Sequence, residues 1–223
     1  MLLSGRLSLA LGCVAGYLHV SAVTTTGLSE NPSVAELWRN LEIWKAAAEH
    51  HDCLERIVSM GSHVRNPLLN ELLPTLLLVR VVSLLDHALR RLVDERRAEG
   101  DPSPKRDNLA SRIDWACEWL PELQNLLLHD GRDQRNEIAH EPTGSATWQE
   151  LDERMKLIHK ALVIIAGLGP RKTYEVKCER SGMRASDDPT VVGERDYSFW
   201  VFEDGDQVLE FKRGEKLHKL GAK

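Results

Sequence analysis

Residues 131–142 read Gly131-Arg132-Asp133-Gln134-Arg135-Asn136-Glu137-Ile138-Ala139-His140-Glu141-Pro142. Arg135, Asn136 and His140 form the pattern Arg-Asn-x-x-x-His, set between two long apolar-periodic segments where a helical bundle would turn a corner. At about 100° per residue, Asn136 and His140 share a helix face, whereas Arg135 is rotated away but long enough to reach the same point. Pro142 disfavours helical geometry at Glu141, so His140 is expected at a helix end, facing a cleft. The three residue types suit phosphodiester chemistry. Arginine offers phosphate oxygens a permanently charged fork of donors. Histidine exchanges a proton near neutral pH, and asparagine can orient either the phosphate or the imidazole. The plainer alternative is a solvated face, with Arg135 paired to Glu137, Asp133 or Glu141 and His140 capping the helix.

Downstream, Thr147-Trp148-Gln149-Glu150 has the spacing of a capping box. Leu151, Met155, Ile158, Leu162 and Ile165 then mark an amphipathic helix that stops at Gly167 or Gly169, ahead of Pro170. Beyond Pro170 the period changes. Residues 173–178, 197–203 and 207–212 read as strands, with Asp204-Gly205 as the hairpin turn between the last two. Residues 180–195 read as a mobile loop. A sheet this small has little core of its own and is expected to dock on the bundle or on a partner.

Upstream, Leu109, Ile113, Ala116 and Leu120 mark a helix that Pro121 interrupts. Trp115 and Trp119 on it are one turn apart, a spacing open to base stacking, although tryptophan in this pattern usually packs. A leucine-rich helix over residues 74–99 is expected to be the most buried one. Arg80, Asp86, His87, Arg90 and Arg91 interrupt it too often for a membrane span. Asp86 and His87 are secondary site candidates, with surface or paired roles the commoner outcome. Ser33-Val34-Ala35-Glu36 opens the first helix, over residues 33–59, with another capping box. Its His50-His51-Asp52-Cys53 string points side chains around the helix and does not close on one ion.

Residues 1–22 hold one basic residue and an apolar run ending Val20-Ser21-Ala22, a pattern shared by a thin signal peptide, a tail or an upstream start. Cleavage after Ala22 would leave three of the four cysteines, which suits a disulfide framework poorly. Cysteines 13, 53, 117 and 178 are scattered without a Cys-x-x-Cys pair, so buried thiols are expected and no metal or cofactor. The net charge of −5 argues against a broad non-specific nucleic-acid surface and confines any RNA contact to a local patch. A mean hydropathy of −0.33 and an apolar fraction of 42% describe a soluble chain with a sizeable core, and a cytoplasmic protein is the reading taken forward.

The expected architecture is mainly α: residues 1–32 as a poorly defined leading segment, 33–168 as an antiparallel four- to five-helix bundle, and 171–223 as a small antiparallel β extension. A bundle carrying Arg135-Asn136-Glu137-Ile138-Ala139-His140 between its last two long helices resembles the HEPN superfamily, whose motif is an arginine, often followed by a polar residue, and then a histidine after four to six intervening positions, here four. The resemblance covers residues 33–168. It implies metal-independent endoribonuclease activity, often in toxins or anti-phage defence, with the site made by two motifs facing each other across a homodimer. His140 would then be general acid or base, Arg135 the stabiliser of phosphoryl charge, Asn136 an orienting group and Arg132 a backbone-binding group. No second Arg-x-x-x-x-His is placed to make the site within one chain. RNA and an antitoxin are the implied partners, with no membrane. The resemblance also admits a catalytically silent module that binds a protein or a nucleotide.

Overall fold

The computed structural model describes residues 32–58, 72–141 and 144–218. The leading segment, the Asn66-Pro67 break and the side chains of His51, Asp52 and Cys53 lie outside the described residues. Among the described residues, five α-helices precede a three-stranded antiparallel sheet: α1 (Val34–Val58), α2 (Leu73–Ala98), α3 (Leu109–Trp119), α4 (Leu128–His140) and α5 (Trp148–Ala166), then β1 (Tyr174–Arg180), β2 (Val191–Glu203) and β3 (Asp206–His218). A 3₁₀ turn, Pro121–Leu126, links α3 to α4. No described helix is long and apolar enough to cross a membrane.

The helix ends follow the sequence chemistry. Ser33 Oγ accepts the Glu36 amide at 3.2 Å while Glu36 returns a carboxylate oxygen to the Ser33 amide at 2.7 Å. Thr147 and Glu150 form the same reciprocal cap on α5, which ends at left-handed Gly167. Asn108 accepts from the Ser111 amide and starts α3. Between these ends the bundle core forms around α2, whose Leu78, Val81, Val82, Leu85 and Leu89 are shut off from solvent together with Ile113, Leu151, Met155, Ile158 and Leu162. Trp115 belongs to this core and donates its indole N–H to the Pro102 carbonyl at 2.7 Å, which removes it as a stacking platform. Trp119 is partly exposed, with the Arg96 guanidinium 5.4 Å from its ring centroid.

The sheet docks on α1. Its inner face alternates Tyr197, Phe199 and Val201 on β2, flanked by Val176 and Cys178 on β1 and by Leu209 and Phe211 on β3, and it packs around Ala46 and Ala47. Two small alanines let the strands approach the helix closely. Asp204 and Gly205 both take positive φ, the turn whose twist matches a hairpin, and Asp204 Oδ1 accepts the Thr173 amide to fasten the tip to the start of β1. The mobile loop expected over residues 180–195 is corrected: β2 already begins at Val191, and Arg184 exchanges two backbone hydrogen bonds with Glu194. Gly193 permits this pairing, because a Cβ there would stand 2.9 Å from the Arg184 carbonyl. The polar run Glu194-Arg195-Asp196 lacks apolar alternation, which hid the strand from a periodicity reading.

Candidate functional site

Two tight constructions hold α4 in place. At its start, the Pro121–Leu126 turn buries Leu123 and brings Leu127 into a left-handed conformation (φ 47°) before the helix begins. Arg154 of α5 donates to the Leu127 carbonyl at 3.4 Å and lies across buried Gly131, where a Cβ would meet its Cδ at 3.2 Å. Glycine at this position lets α4 and α5 approach closely, one turn before Arg135. The His129 Nε2 and Asp114 Oδ1, 2.8 Å apart, tie the same end to α3.

At the other end, His140 is the last helical residue and Glu141 is extended, as the following proline requires. Gly144 then folds back against the helix so closely that a Cβ would stand 2.8 Å from the Ile138 Cα and 2.9 Å from the Glu137 carbonyl. Two residues on, the Ala146 amide donates to buried Thr75 Oγ1 at 2.8 Å, anchoring the connection to the start of α2. The connection through Gly144 and Ala146 is therefore held against α4 and α2 by a glycine no larger residue can replace without movement and by a buried hydrogen bond.

Arg135 and Asn136 are half-buried and His140 is exposed. At about 100° per residue, Arg132, Arg135, Asn136 and His140 fall within a sector of about 140°, while Asp130, Asp133 and Glu137 fall within about 60° on the side away from Arg135. Leu128, Gly131 and Ile138 flank Arg135 on the core side. The pairing of Arg135 with a neighbouring carboxylate, open from the sequence, is not made: among the described residues Arg135, Asn136 and His140 have no side-chain hydrogen bond or ion pair. Arg132 pairs through Nη2 with Asp133, and its Nε is enclosed without an acceptor among the described residues. A buried donor in that condition is uncommon, because it has lost water without gaining a partner.

Of the secondary candidates, Asp86 is committed to Arg90 and Arg112, and His87 is exposed. Arg154 is the cationic group that the sequence reading passed over. It begins a second Arg-x-x-x-x-His string ending at His159, but the fold splits that pair. His159 is buried, 5.3 Å from the Trp38 ring and hydrogen-bonded to the Gly169 carbonyl, while Arg154 turns toward α4. Gly131 was the available signal, since a small residue on the core side of a polar helix marks a close crossing. No group of histidine, cysteine and carboxylate side chains suited to a metal ion occurs among the described residues. Comparison of the chain with protein-family models, curated proteins and solved structures finds no match.

Proposed function

We propose that the protein is a metal-independent endoribonuclease of HEPN type, working in the cytoplasm as a toxin or anti-phage effector. The observation that carries the reading is the trio Arg135, Asn136 and His140, without side-chain partners among the described residues, at a closely packed helix end. Polar side chains with structural duties are normally paired, and among the described residues these three are left open to a ligand.

In the reaction a ribose 2′ oxygen attacks the adjacent phosphorus and gives up its proton. The O2′–P bond forms as the P–O5′ bond breaks, and the leaving 5′ oxygen takes a proton. The products carry a 2′,3′-cyclic phosphate and a 5′-OH, and the need for the 2′-OH restricts the reaction to RNA. His140 performs one proton transfer, and in a homodimer the second copy's His140 performs the other. Arg135 stabilises charge building on the non-bridging oxygens, and Asn136 orients the phosphate or the imidazole. Two copies also bring more guanidinium groups to one phosphate than a single acidic chain can.

The test is cleavage of RNA by the purified full chain in EDTA, with the ends of the products identified. Cyclic phosphate and 5′-OH ends in EDTA are expected. Activity that vanishes in EDTA and returns with magnesium would overturn the mechanism. A catalytically silent module binding a protein partner is the second reading, favoured by the Asp130, Asp133 and Glu137 sector that gives α4 an acidic side. Equal growth of bacteria expressing wild type and His140→Ala, with RNA intact in both, would favour it.

A further inference from the structure

Away from α4, a cleft of about 180 Å³ opens between the carboxyl-terminal half of α2 and the segment leading into α3. Four arginines line it, Arg90, Arg97, Arg106 and Arg112, against Asp94 and Asp107. Such a concentration is unusual in a chain with a net charge of −5. It is remote from the candidate catalytic end: at about 1.5 Å per residue, Arg90 and Arg97 lie roughly 22 and 33 Å along α2 from Thr75.

The arginines are not equally committed. Arg112 is 3% exposed and fixed from behind by Asp86, whose Oδ1 accepts from its Nε at 3.0 Å and its Nη2 at 2.5 Å. Asp86 also accepts from Arg90 at 2.9 Å, so one buried-side carboxylate positions two guanidinium groups. Arg97 donates Nε to Ser103 Oγ at 3.0 Å and makes a loose, solvent-exposed ion pair with Asp94 at 3.7 Å, which contributes little. Arg106 is exposed and has no side-chain hydrogen bond or ion pair among the described residues. On the open side, Nη1 of Arg112 is held only by Asp107, whose side chain is 96% exposed. An ion pair with a partner so fully in water contributes little. The Asp107 carboxylate thus occupies the position an oxyanion would take on Arg112 and is easily exchanged.

We propose that this cleft binds the phosphate or pyrophosphate group of a small ligand, with Arg112 as its floor, Arg97 and Arg106 closing on the oxygens, and Asp107 displaced on binding. A phosphoryl group carries more charge and more acceptor atoms than the carboxylate it replaces, and several guanidinium forks can engage it at once. Even with Asp86 counted, the arginines outnumber the carboxylates, and the excess grows when Asp107 moves away. The volume is below the roughly 300–1,000 Å³ that encloses a drug-sized ligand. Val93 and Pro104 are the apolar lining and there is no aromatic wall, so the site reads the phosphoryl group and leaves the rest of its carrier in solvent.

The experiment is calorimetric titration of the full chain with inorganic pyrophosphate at constant ionic strength, beside Arg106→Ala and Asp107→Asn. Both substitutions are at exposed positions and leave the Arg112–Asp86 pair intact, so folding is preserved. Saturable binding is expected, weakened about tenfold by Arg106→Ala, the loss of one charge-assisted contact. Asp107→Asn removes the competing carboxylate and is expected to tighten binding about threefold or more. Absence of saturable binding, or affinity indifferent to both substitutions, overturns the proposal. So does displacement of pyrophosphate by an RNA oligonucleotide lacking terminal phosphates at equal phosphate concentration, since that would make the cleft a backbone track.

Discussion

The seam between the sheet and α1 and the carboxyl-terminal end of α4 use similar side chains in opposite ways. At the seam, Arg39 grips Glu203 through three contacts of 2.6–2.9 Å, Arg171 pairs with Glu42 at 2.7 Å, and the Tyr174 hydroxyl donates to Glu203 at 3.0 Å. Burial and the neighbouring Glu42 and Glu203 charges push the Tyr174 hydroxyl well above its ordinary range, so it stays a donor. At the α4 end, Arg135, Asn136 and His140 have no internal partner among the described residues, although the backbone beside them is closely packed at Gly144 and tied by the Ala146–Thr75 hydrogen bond. The contrast teaches that charge used to hold elements together is matched within the chain. Charge left open on a rigid support is available for a ligand.

Substitutions should separate the two regions. His140→Ala or Arg135→Ala is expected to lower RNA cleavage about 10²–10⁴-fold, the usual range for losing a proton-transfer group, and to leave the thermal midpoint within about 2 °C. A large fall in midpoint would show that these residues are structural after all. Phe199→Ala, in the sheet's inner face, should do the reverse. It is expected to cost about 3–5 kcal/mol in chemical denaturation, with cleavage per folded molecule unchanged.

Gly144→Ala should break the separation, because the added Cβ meets α4 backbone at 2.8 Å. A destabilisation of about 1–3 kcal/mol is expected, together with lost activity, since His140 must shift. Retained activity at reduced stability would mean that the exit geometry does not set the site.

The smallest effect is the acid response of the seam. The hydrogen bond from Arg39 holds Glu203 below its ordinary value of 4.5, against the opposing effect of burial. A depressed carboxylate contributes stability that is fully present above its ordinary value and is lost as pH falls through the lower folded value. Unfolding followed from pH 7 to 3 should therefore show a loss below about 4.5 that Arg39→Ala reduces, with no counterpart in His140→Ala.

Much of this was legible wherever a local rule decides the structure. Both capping boxes, the stop at Gly167, the Asp204-Gly205 turn and the helix end at His140 follow from one or two residues each. The sheet's resting place was not legible, because Ala46 and Ala47 show no strong apolar stripe and their small size matters only once the strands arrive. The early part of β2 was hidden by its polar run and needs Gly193 to pair. In the site, the spacing of Arg135, Asn136 and His140 could be read, but not whether nearby carboxylates would neutralise them. That depended on the acidic sector turning away from Arg135. Arg154 was missed because its contact crosses between helices, and the cleft around Arg112 because its arginines come from two separate segments.

The most direct test is sequencing of cellular RNA ends after inducing wild type beside Arg135→Ala and His140→Ala, with the proteins matched in abundance. The trio Arg135, Asn136 and His140 as catalytic centre predicts new 5′-OH ends in wild type alone, at defined positions, while both variants accumulate as folded protein. The same ends appearing in either variant, or none appearing in wild type, would contradict it.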